Sequence, residues 1–391
     1  MALEREQSLR AADANDGGTT GRGVVVTHAL ANSFDPDSHE ARTRAGIAKK
    51  LAEIKGFEFA GEYDRSSRYD DPVYFVPSDV LSSTEAAQAL GIRSENDLFG
   101  GVVPHGFAAT KVITHPLFDA HAHAPPGWVP AFPQAVAGSV LDGFSAFARS
   151  DAQRAGARLL ERGPVRVKRA TGIGGWGQFV VKTRDELADA LGAIEAEEFS
   201  TSGVVVEENL DDVTTYGVGV VRVAGVVASY CGTQQLTTNN RGDEVYGGSD
   251  LFVVRGDFDA LLRFPLTDAV RQAIALARLY DAAAGACFPG FFASRRNYDV
   301  MQGIDSRDRQ RMGVLEQSWR IGGASGAEVG ALDAFCADPG LESVRAVSVE
   351  IYGESPPPAD AVVYFRGVDA RVGPLTKYSR VEPDADARRA G

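Results

Sequence analysis

The sequence predicts an α/β fold (α/β with α+β character) that begins with a parallel α/β layer. An apolar run of buried-strand type at residues 23–28 is followed by a helical pattern, with Ser38 as its N-cap and Gly56 as its stop. The same order returns where PVYFVPSDVL leads into SSTEAAQALGI. Alternating strands and helices are typical of a parallel sheet that helices cover.

Length and composition limit the class of protein. The chain has 391 residues, enough for two or three packed units, and its 44% hydrophobic and 24% charged content is typical of a globular protein. The formal net charge of −13 argues against a nucleic-acid or anionic-membrane partner, because those surfaces recruit clusters of Lys and Arg. An anionic small substrate needs only a local basic pocket and stays possible.

The cellular setting is predicted from the first residues and from the cysteines. Residues 1–22 are polar and carry charges where a signal peptide needs an apolar core, so we expect a disordered leader. Three widely spaced cysteines show no CxxC pattern: Cys231, Cys287 and Cys336. We therefore expect buried free thiols and a cytoplasmic protein.

A glycine-rich loop, GIGGWG at residues 172–177, separates two apolar runs. It satisfies GxGxxG, but that pattern indicates a dinucleotide site only when it follows a strand and opens a helix. Here the β-branched run QFVVK follows, so we predict a flap between two antiparallel strands. Glycines let backbone N–H groups approach phosphates, and Lys168 on the preceding strand supplies a positive charge.

Two acids lie on a second predicted hairpin, within residues 297–323. Asp299 and Glu316 each occupy a short apolar strand, and the charged turn IDSRDRQR joins the two strands. Carboxylates on adjacent strands can share a hard cation such as Mg²⁺, which takes oxygen ligands. The alternative is that both are surface acids, which is the usual position of Asp and Glu.

Together these segments resemble the ATP-grasp superfamily over roughly residues 111–331. The resemblance implies that Lys111, Lys168 and the glycine loop hold ATP phosphates, and that the segment after GVVV binds adenine. The implied ATP-binding residues are Lys111, Lys168, Gly172, Gly174, Gly175, Gly177, Glu207, Glu208, Asn209 and Leu210, with Asp211 or Asp212 for the ribose. It also suggests that the polar segment TTNNRGDEVYGGSDLFVVRG is a long loop serving as a lid over ATP.

The resemblance also assigns the metal and the catalytic residues. The superfamily ends its site with Glu-x-Asn-x-Arg, whereas this chain has Glu316, Ser318 and Arg320 in that spacing. The implied Mg²⁺ ligands are Asp299, Glu316 and Ser318, although a serine hydroxyl is a poorer ligand than an asparagine carbonyl. Arg320 would hold a substrate carboxylate or acyl phosphate, with Arg295 and Arg296 as further candidates.

The domain organisation and function follow as expectations. We predict a leader (1–22), an N-terminal α/β domain (23–105), a first ATP-grasp lobe (106–206), a second lobe with the metal site (207–382) and a polar tail (383–391). The implied activity is an ATP- and Mg²⁺-dependent ligase acting on a small-molecule carboxylate and a nucleophile. A kinase of the same fold and a non-catalytic nucleotide-binding protein are the alternatives.

Overall fold

The computed structural model describes residues 22–30, 35–172 and 177–382. Almost all of the predicted leader and the whole predicted tail lie outside these residues. Gly174 and Gly175 of the glycine loop also lie outside them.

The chain begins with a three-stranded parallel sheet and its helices. The elements are β1 (Val24–His28), α1 (His39–Lys55), β2 (Glu58–Glu62), β3 (Val73–Pro77) and α2 (Thr84–Ala89). Strand β1 lies in the centre of the order β2-β1-β3 and is parallel to both neighbours. The predicted parallel α/β layer is confirmed.

Helix α1 begins and ends at the predicted residues. Ser38 Oγ accepts the backbone N–H of Ala41 at 3.2 Å and so satisfies one of the helix's unpaired donors. Gly56 follows the helix with φ of 66°, a left-handed conformation that glycine adopts without a Cβ penalty. Strand β2 was not predicted, because its residues are half-buried or exposed and form no apolar run.

The middle of the chain builds the sheet that carries the glycine loop. Its elements are β4 (Gly101–Val102), α3 (Ala131–Val136), β5 (Gly143–Ala146), α4 (Arg149–Leu160), β6 (Val165–Arg169), β7 (Gln178–Val181), α5 (Arg184–Gly192), α6 (Ala196–Thr201) and β8 (Val204–Glu208). Four of the strands form an antiparallel sheet in the order β5-β8-β6-β7. As predicted, antiparallel strands β6 and β7 flank the glycine loop.

The helix-forming sequence at residues 185–198 is divided between α5 and α6. Arg149 donates to the carbonyl of Ile194 at 2.6 Å, and Arg169 donates to the carbonyl of Ala193 at 2.8 Å. These side chains satisfy carbonyls at the end of α5, where a continuing helix would have used its own N–H groups. The division results from tertiary contacts that local periodicity does not contain.

The rest of the chain forms an eight-stranded sheet with helices on both faces. Its elements are β9 (Asp211–Val223), β10 (Val226–Thr238), β11 (Glu244–Arg255), α7 (Phe258–Leu261), α8 (Asp268–Cys287), β12 (Phe292–Ala293), β13 (Arg295–Ile304), β14 (Gln310–Ser318), α9 (Ser325–Ala337), β15 (Ser343–Tyr352), β16 (Val362–Asp369) and β17 (Gly373–Glu382). The order is β14-β13-β9-β10-β11-β15-β17-β16, antiparallel throughout. Helix α8 packs against β9, β13 and β14, while α9 and α1 pack together next to β10, β15 and β17.

The predicted long polar lid is instead a hairpin, so that prediction was wrong. Strands β10 and β11 remain paired as far as Thr238 and Glu244, and a turn at residues 239–243 joins them. This end of the hairpin projects into solvent, and Leu236 is 62% exposed. Its residues are mostly polar or glycine, so they show no apolar alternation from which a strand can be recognised.

The last described strand, β17, is not indicated by the pattern of its sequence. Strand β17 pairs with both β15 and β16, and its buried positions include the polar residues Thr376 and Ser379. Those residues hide the alternation of the strand. Another prediction, that all three cysteines are buried, holds only for Cys231, since Cys287 is half-buried and Cys336 is exposed.

Gln317 connects the acid-bearing hairpin to the segment that carries Lys111. Its amide nitrogen donates to the carbonyls of Ala108 (3.1 Å) and Thr110 (2.8 Å), and its amide oxygen accepts from the Tyr280 hydroxyl at 3.0 Å. Gln317 is buried, so these groups have replaced water with one another. The amide therefore fixes the segment before Lys111 against β14.

Among the described helices, none has both the length and the apolar character needed to cross a membrane.

We expect Gln317→Leu to lower the free energy of unfolding by about 1–3 kcal/mol, because it removes three hydrogen bonds made by a buried amide. Urea denaturation measures this change. Gln310→Leu, at the exposed start of the same strand, is the control and should have little effect. Equal unfolding midpoints for the two variants would contradict the role of Gln317.

Candidate functional site

The two predicted acids face each other on neighbouring strands. The register of β13 and β14 pairs Asp299 with Glu316, and a bulge follows directly after Asp299. Burial, and after it the negative charge of Glu316, raise the pKa of Asp299 from its ordinary value to about 6. Two carboxylates held this close repel each other and favour a cation between them.

Lys111 already brings a positive charge to one of these acids. Its Nζ lies 2.5 Å from Glu316 Oε2 and donates to the carbonyl of Gly172 at 2.8 Å. The side chain is only 5% exposed, so it is not the solvated lysine that is usual at protein surfaces. Lys111 therefore joins the acid hairpin to the start of the glycine loop, two segments far apart in sequence.

Lys168 lies in a second buried ion pair, with Glu207. The two residues occupy the neighbouring strands β6 and β8, and their side chains are almost fully buried. The other carboxylate oxygen of Glu207 lies 3.1 Å from Nε2 of His115, which is also buried. Burial opposes the charge of Glu207, but Lys168 and His115 overcome that effect and lower its pKa to about 2. His115 was not predicted, since nothing in its local sequence distinguishes it.

The predicted adenine segment divides its side chains between two environments. Glu208 bonds to Arg311 at 2.9 Å, away from the Glu207 pair, as alternation along a strand requires. Asn209 accepts a hydrogen bond from Arg166 at 2.7 Å. The backbone N–H groups of Glu208 and Asn209 donate to the carbonyls of Asp142 and Pro164. Leu210 takes part in neither of these two bonds.

A buried network lies behind Asp299. Asn297 Nδ2 donates to Asp299 Oδ1 at 2.9 Å, and the Tyr230 hydroxyl lies 2.9 Å from Asn297 Oδ1. The same hydroxyl lies 2.6 Å from Oε1 of Glu328, which Arg295 binds with two N–H groups at 2.7 and 2.8 Å. Of these residues the sequence singled out only Arg295 and Asp299, because the network crosses strands and a helix without a local pattern.

Arg295 is also bonded to the segment that follows β14. Its guanidinium donates to Ser318 Oγ at 3.3 Å, to the Ser318 carbonyl at 3.1 Å and to the carbonyl of Arg320. It is fully buried and committed to protein acceptors, so the suggested contact of Arg295 with substrate is wrong. Arg296 is bonded to Asp281 in the same way.

Arg320, the predicted catalytic arginine, is half-buried and donates to the neighbouring carbonyl of Ile321 at 2.8 Å. The structure thus brings together Lys111, Lys168, Asp299 and Glu316. Within the part of the chain that the structure describes, Arg320 has no hydrogen bond or ion pair with these four residues. Gly172 and Gly177 border the undescribed part of the loop. Of the two acids suggested for the ribose, Asp211 accepts from Asn209 at 3.2 Å.

The donor set at the acid pair fits Mg²⁺. Two carboxylates with half-open surroundings match an ion that keeps several waters and binds one or two protein acids beside substrate phosphates. Glu316 already binds one cation, the ammonium of Lys111. Among the described residues, a different group of three metal-type side chains, His39, Glu40 and Asp369, lies at β16, the other edge of the sheet.

The fold is similar to that of a known protein. Biotin carboxylase from Campylobacter jejuni, solved as a β-γ-ATP complex, matches 93% of this chain and 88% of its own, with a TM-score of 0.51 and 11% identity. The chain has an ATP-grasp fold, as the sequence resemblance predicted.

Other comparisons are more distant. D-alanyl-alanine synthetase A from Vibrio cholerae has a TM-score of 0.48 and 13% identity, over 77% of this chain and 89% of that one. Phosphoribosylamine–glycine ligase from Thermotoga maritima has a TM-score of 0.46 and 13% identity, over 94% of each chain. No curated protein matches the sequence. A family model described as "Protein of unknown function (DUF3182)" matches residues 25–379, and the chain therefore belongs to the DUF3182 family.

Proposed function

We propose that this protein is an ATP- and Mg²⁺-dependent ligase that activates a substrate carboxylate as an acyl phosphate. One observation carries the proposal: two buried lysines and two facing carboxylates, widely separated in sequence, meet beside the start of the glycine loop. Lys111 contacts both the loop and Glu316. Burial lowers the pKa of Lys168, and the charges of Lys111 and Glu316 also act on this pKa. Positive charges and a metal beside a glycine loop are the elements that phosphoryl transfer requires.

In this proposal Asp299 and Glu316 hold the metal. When bound, Mg²⁺ neutralises charge on the β- and γ-phosphates. Lys111 leaves Glu316 and pairs with a phosphate oxygen, so that the carboxylate is freed as the phosphate arrives. The exchange keeps charges paired in a buried site, where an unpaired charge is costly.

Lys168 holds a further phosphate, and Glu207 keeps its ammonium in place. Glu207 stays ionised because its pKa is lowered, and His115 satisfies its second oxygen. A lysine fixed in this way loses little conformational entropy when the nucleotide binds, because its ammonium is already in position. The residues after Glu207, through Leu210, hold the adenine in the proposal.

The transfer step forms a bond between a substrate carboxylate oxygen and the γ-phosphorus, and the bond to the β–γ bridging oxygen breaks. ADP leaves with that electron pair. An amine or similar nucleophile then attacks the acyl carbon, and inorganic phosphate leaves. Arg320 orients the carboxylate, because its fork fits such a group bidentately. Arg320 donates to the carbonyl of Ile321, which is a neutral acceptor. A charged substrate carboxylate replaces this acceptor favourably.

A non-catalytic nucleotide-binding protein is the second candidate, and Ser318 favours it. The guanidinium of Arg295 lies 3.3 Å from Ser318 Oγ and so opposes a second cation at that position. Ser318 is accordingly the weakest of the three proposed metal ligands.

We expect Asp299→Asn and Glu316→Gln each to abolish Mg²⁺-dependent ATP turnover. Glu316→Gln also leaves the buried ammonium of Lys111 without its ionic partner, so thermal unfolding must confirm that this variant is folded before its turnover is compared. Each replacement removes an anionic ligand without changing volume, whereas Ser318→Ala should have a much smaller effect. ADP release in the presence of a metabolite library measures turnover. Asp308→Asn, in the turn of the same hairpin, is the control. Turnover at the wild-type rate in both acid variants would show that the metal assignment is wrong.

Lys168→Ala should weaken ATP binding by about 1.5–3 kcal/mol, the range for a charge-assisted hydrogen bond. Calorimetry measures the affinity, and Lys182→Ala at an exposed position is the control. Thermal unfolding must show that Lys168→Ala is folded, because the variant leaves the buried Glu207 without its ionic partner. Tight binding of NAD(P) without binding of ATP would instead support the dinucleotide interpretation of GxGxxG.

Hydroxylamine separates a ligase from a kinase, because it converts an acyl phosphate to a hydroxamate and leaves a phosphate ester intact. With ATP, Mg²⁺ and the substrate, but without an amine acceptor, we expect a hydroxamate. Arg320→Lys should reduce its formation although the charge is kept, since an ammonium lacks the bidentate fork. A stable phosphorylated product without hydroxamate would favour the kinase, and ATP binding without turnover would favour the non-catalytic protein.

A further inference from the structure

We propose that Tyr230 is a positioning residue for Asp299 and that it acts through Asn297. The proposal rests on the metal site of the proposed function and adds residues that the sequence did not indicate. It concerns how this chain holds its own carboxylate in place for a divalent cation.

Three neighbouring strands, β10, β9 and β13, carry the residues that link the Tyr230 phenol to the Asp299 carboxylate. Tyr230 on β10 pairs with Gly219 on β9, and Gly219 pairs with Asn297 on β13. A Cβ at Gly219 would lie 2.3 Å from the Tyr230 hydroxyl, so no larger residue leaves room for the ring. The ring thus crosses over β9 at its glycine, and the hydroxyl reaches Asn297 at 2.9 Å.

The far end of the network is fixed by a buried ion pair. Glu328 on α9 and Arg295 on β13 are almost fully buried and are joined by two hydrogen bonds. The Tyr230 hydroxyl lies 2.6 Å from Glu328, closer than to Asn297. The hydroxyl has a single proton and shares it between Glu328 Oε1 and Asn297 Oδ1, so both acceptors hold the phenol and the phenol in turn fixes the Asn297 amide.

Asp299 needs such support because it faces Glu316 across the hairpin. Repulsion between the two carboxylates favours rotation of Asp299 away from its partner in the metal-free protein. The N–H donated by Asn297 opposes that rotation and directs one oxygen. Residues that orient metal ligands in this way typically change metal affinity 10- to 100-fold when they are removed.

Tyr230→Phe tests the proposal, since it removes one hydroxyl and keeps the ring over Gly219. Replacing Glu328 or Arg295 is less informative, because either change leaves a buried charge unpaired and threatens folding. Tyr298→Phe is the matched control. Tyr298 is equally buried on β13, but its hydroxyl bonds to Asp281 and Trp319 and not to Asn297.

The measurement is the affinity for Mn²⁺, followed by electron paramagnetic resonance with a non-hydrolysable ATP analogue present. We expect Tyr230→Phe to weaken Mn²⁺ binding about tenfold, at the lower end of the range for groups that orient ligands. Its affinity for the analogue without metal should equal that of wild type. Tyr298→Phe should keep the wild-type Mn²⁺ affinity, although we expect both variants to lose stability in thermal unfolding because each loses buried hydrogen bonds.

Asn297→Ala removes the same link at its other end and should weaken Mn²⁺ binding in parallel, which keeps the test decisive if Tyr230→Phe does not fold. Wild-type Mn²⁺ affinity in a folded Tyr230→Phe variant, or in the Asn297→Ala variant, would overturn this inference and leave the proposed function standing. Equal weakening in Tyr298→Phe would overturn it too, because the effect would then be general destabilisation. Wild-type protein that binds no Mn²⁺ with the nucleotide would overturn the proposed function as well.

Discussion

The repulsion between two carboxylates on neighbouring strands is the constraint around which the site is organised. Asp299 and Glu316 are placed opposite each other by hairpin register alone, and the fold must balance their charge. It does so with Lys111, whose ammonium binds Glu316. Gln317 holds Lys111 at this position, because its amide bonds the segment before Lys111 to β14. The glycine loop joins the same balance through the carbonyl of Gly172. Loop, lysine and acid pair are therefore parts of one electrostatic unit.

The same constraint explains why the interior contains so many ionisable groups. Lys168 is balanced by Glu207 and Arg295 by Glu328, so each buried charge has a partner. Such pairs contribute little net stability compared with apolar residues, but breaking one is costly. Their benefit in the proposed function is position, since groups that hold a nucleotide and a metal must be fixed before these arrive.

The sequence predicted the parts of the fold that depend on local pattern. Helix α1, with Ser38 and Gly56 at its ends, and the strands around the glycine loop follow from periodicity and capping. The end of the β10–β11 hairpin did not, because its residues are mostly polar or glycine and carry no apolar alternation. Strand β17 was missed since buried Thr376 and Ser379 interrupt its pattern.

For the site, the sequence indicated charged residues in a recognisable order but not what holds them. Lys111, Lys168, Asp299 and Glu316 were singled out, and the structure brings them together. His115 and Tyr230 were not, because each acts across strands on a residue more than 65 positions away. Gly219 shows the difficulty best, since its meaning depends on a tyrosine one strand away.

In the proposed function the acid pair and the two lysines form one site for a metal–nucleotide complex. Calorimetric titration of wild-type protein with a non-hydrolysable ATP analogue, with and without Mg²⁺, tests whether they do. We expect the analogue to bind and Mg²⁺ to strengthen its binding, because the metal relieves the repulsion between the acids as it neutralises the phosphates. Binding that is the same with and without Mg²⁺, or no binding at all, would contradict it.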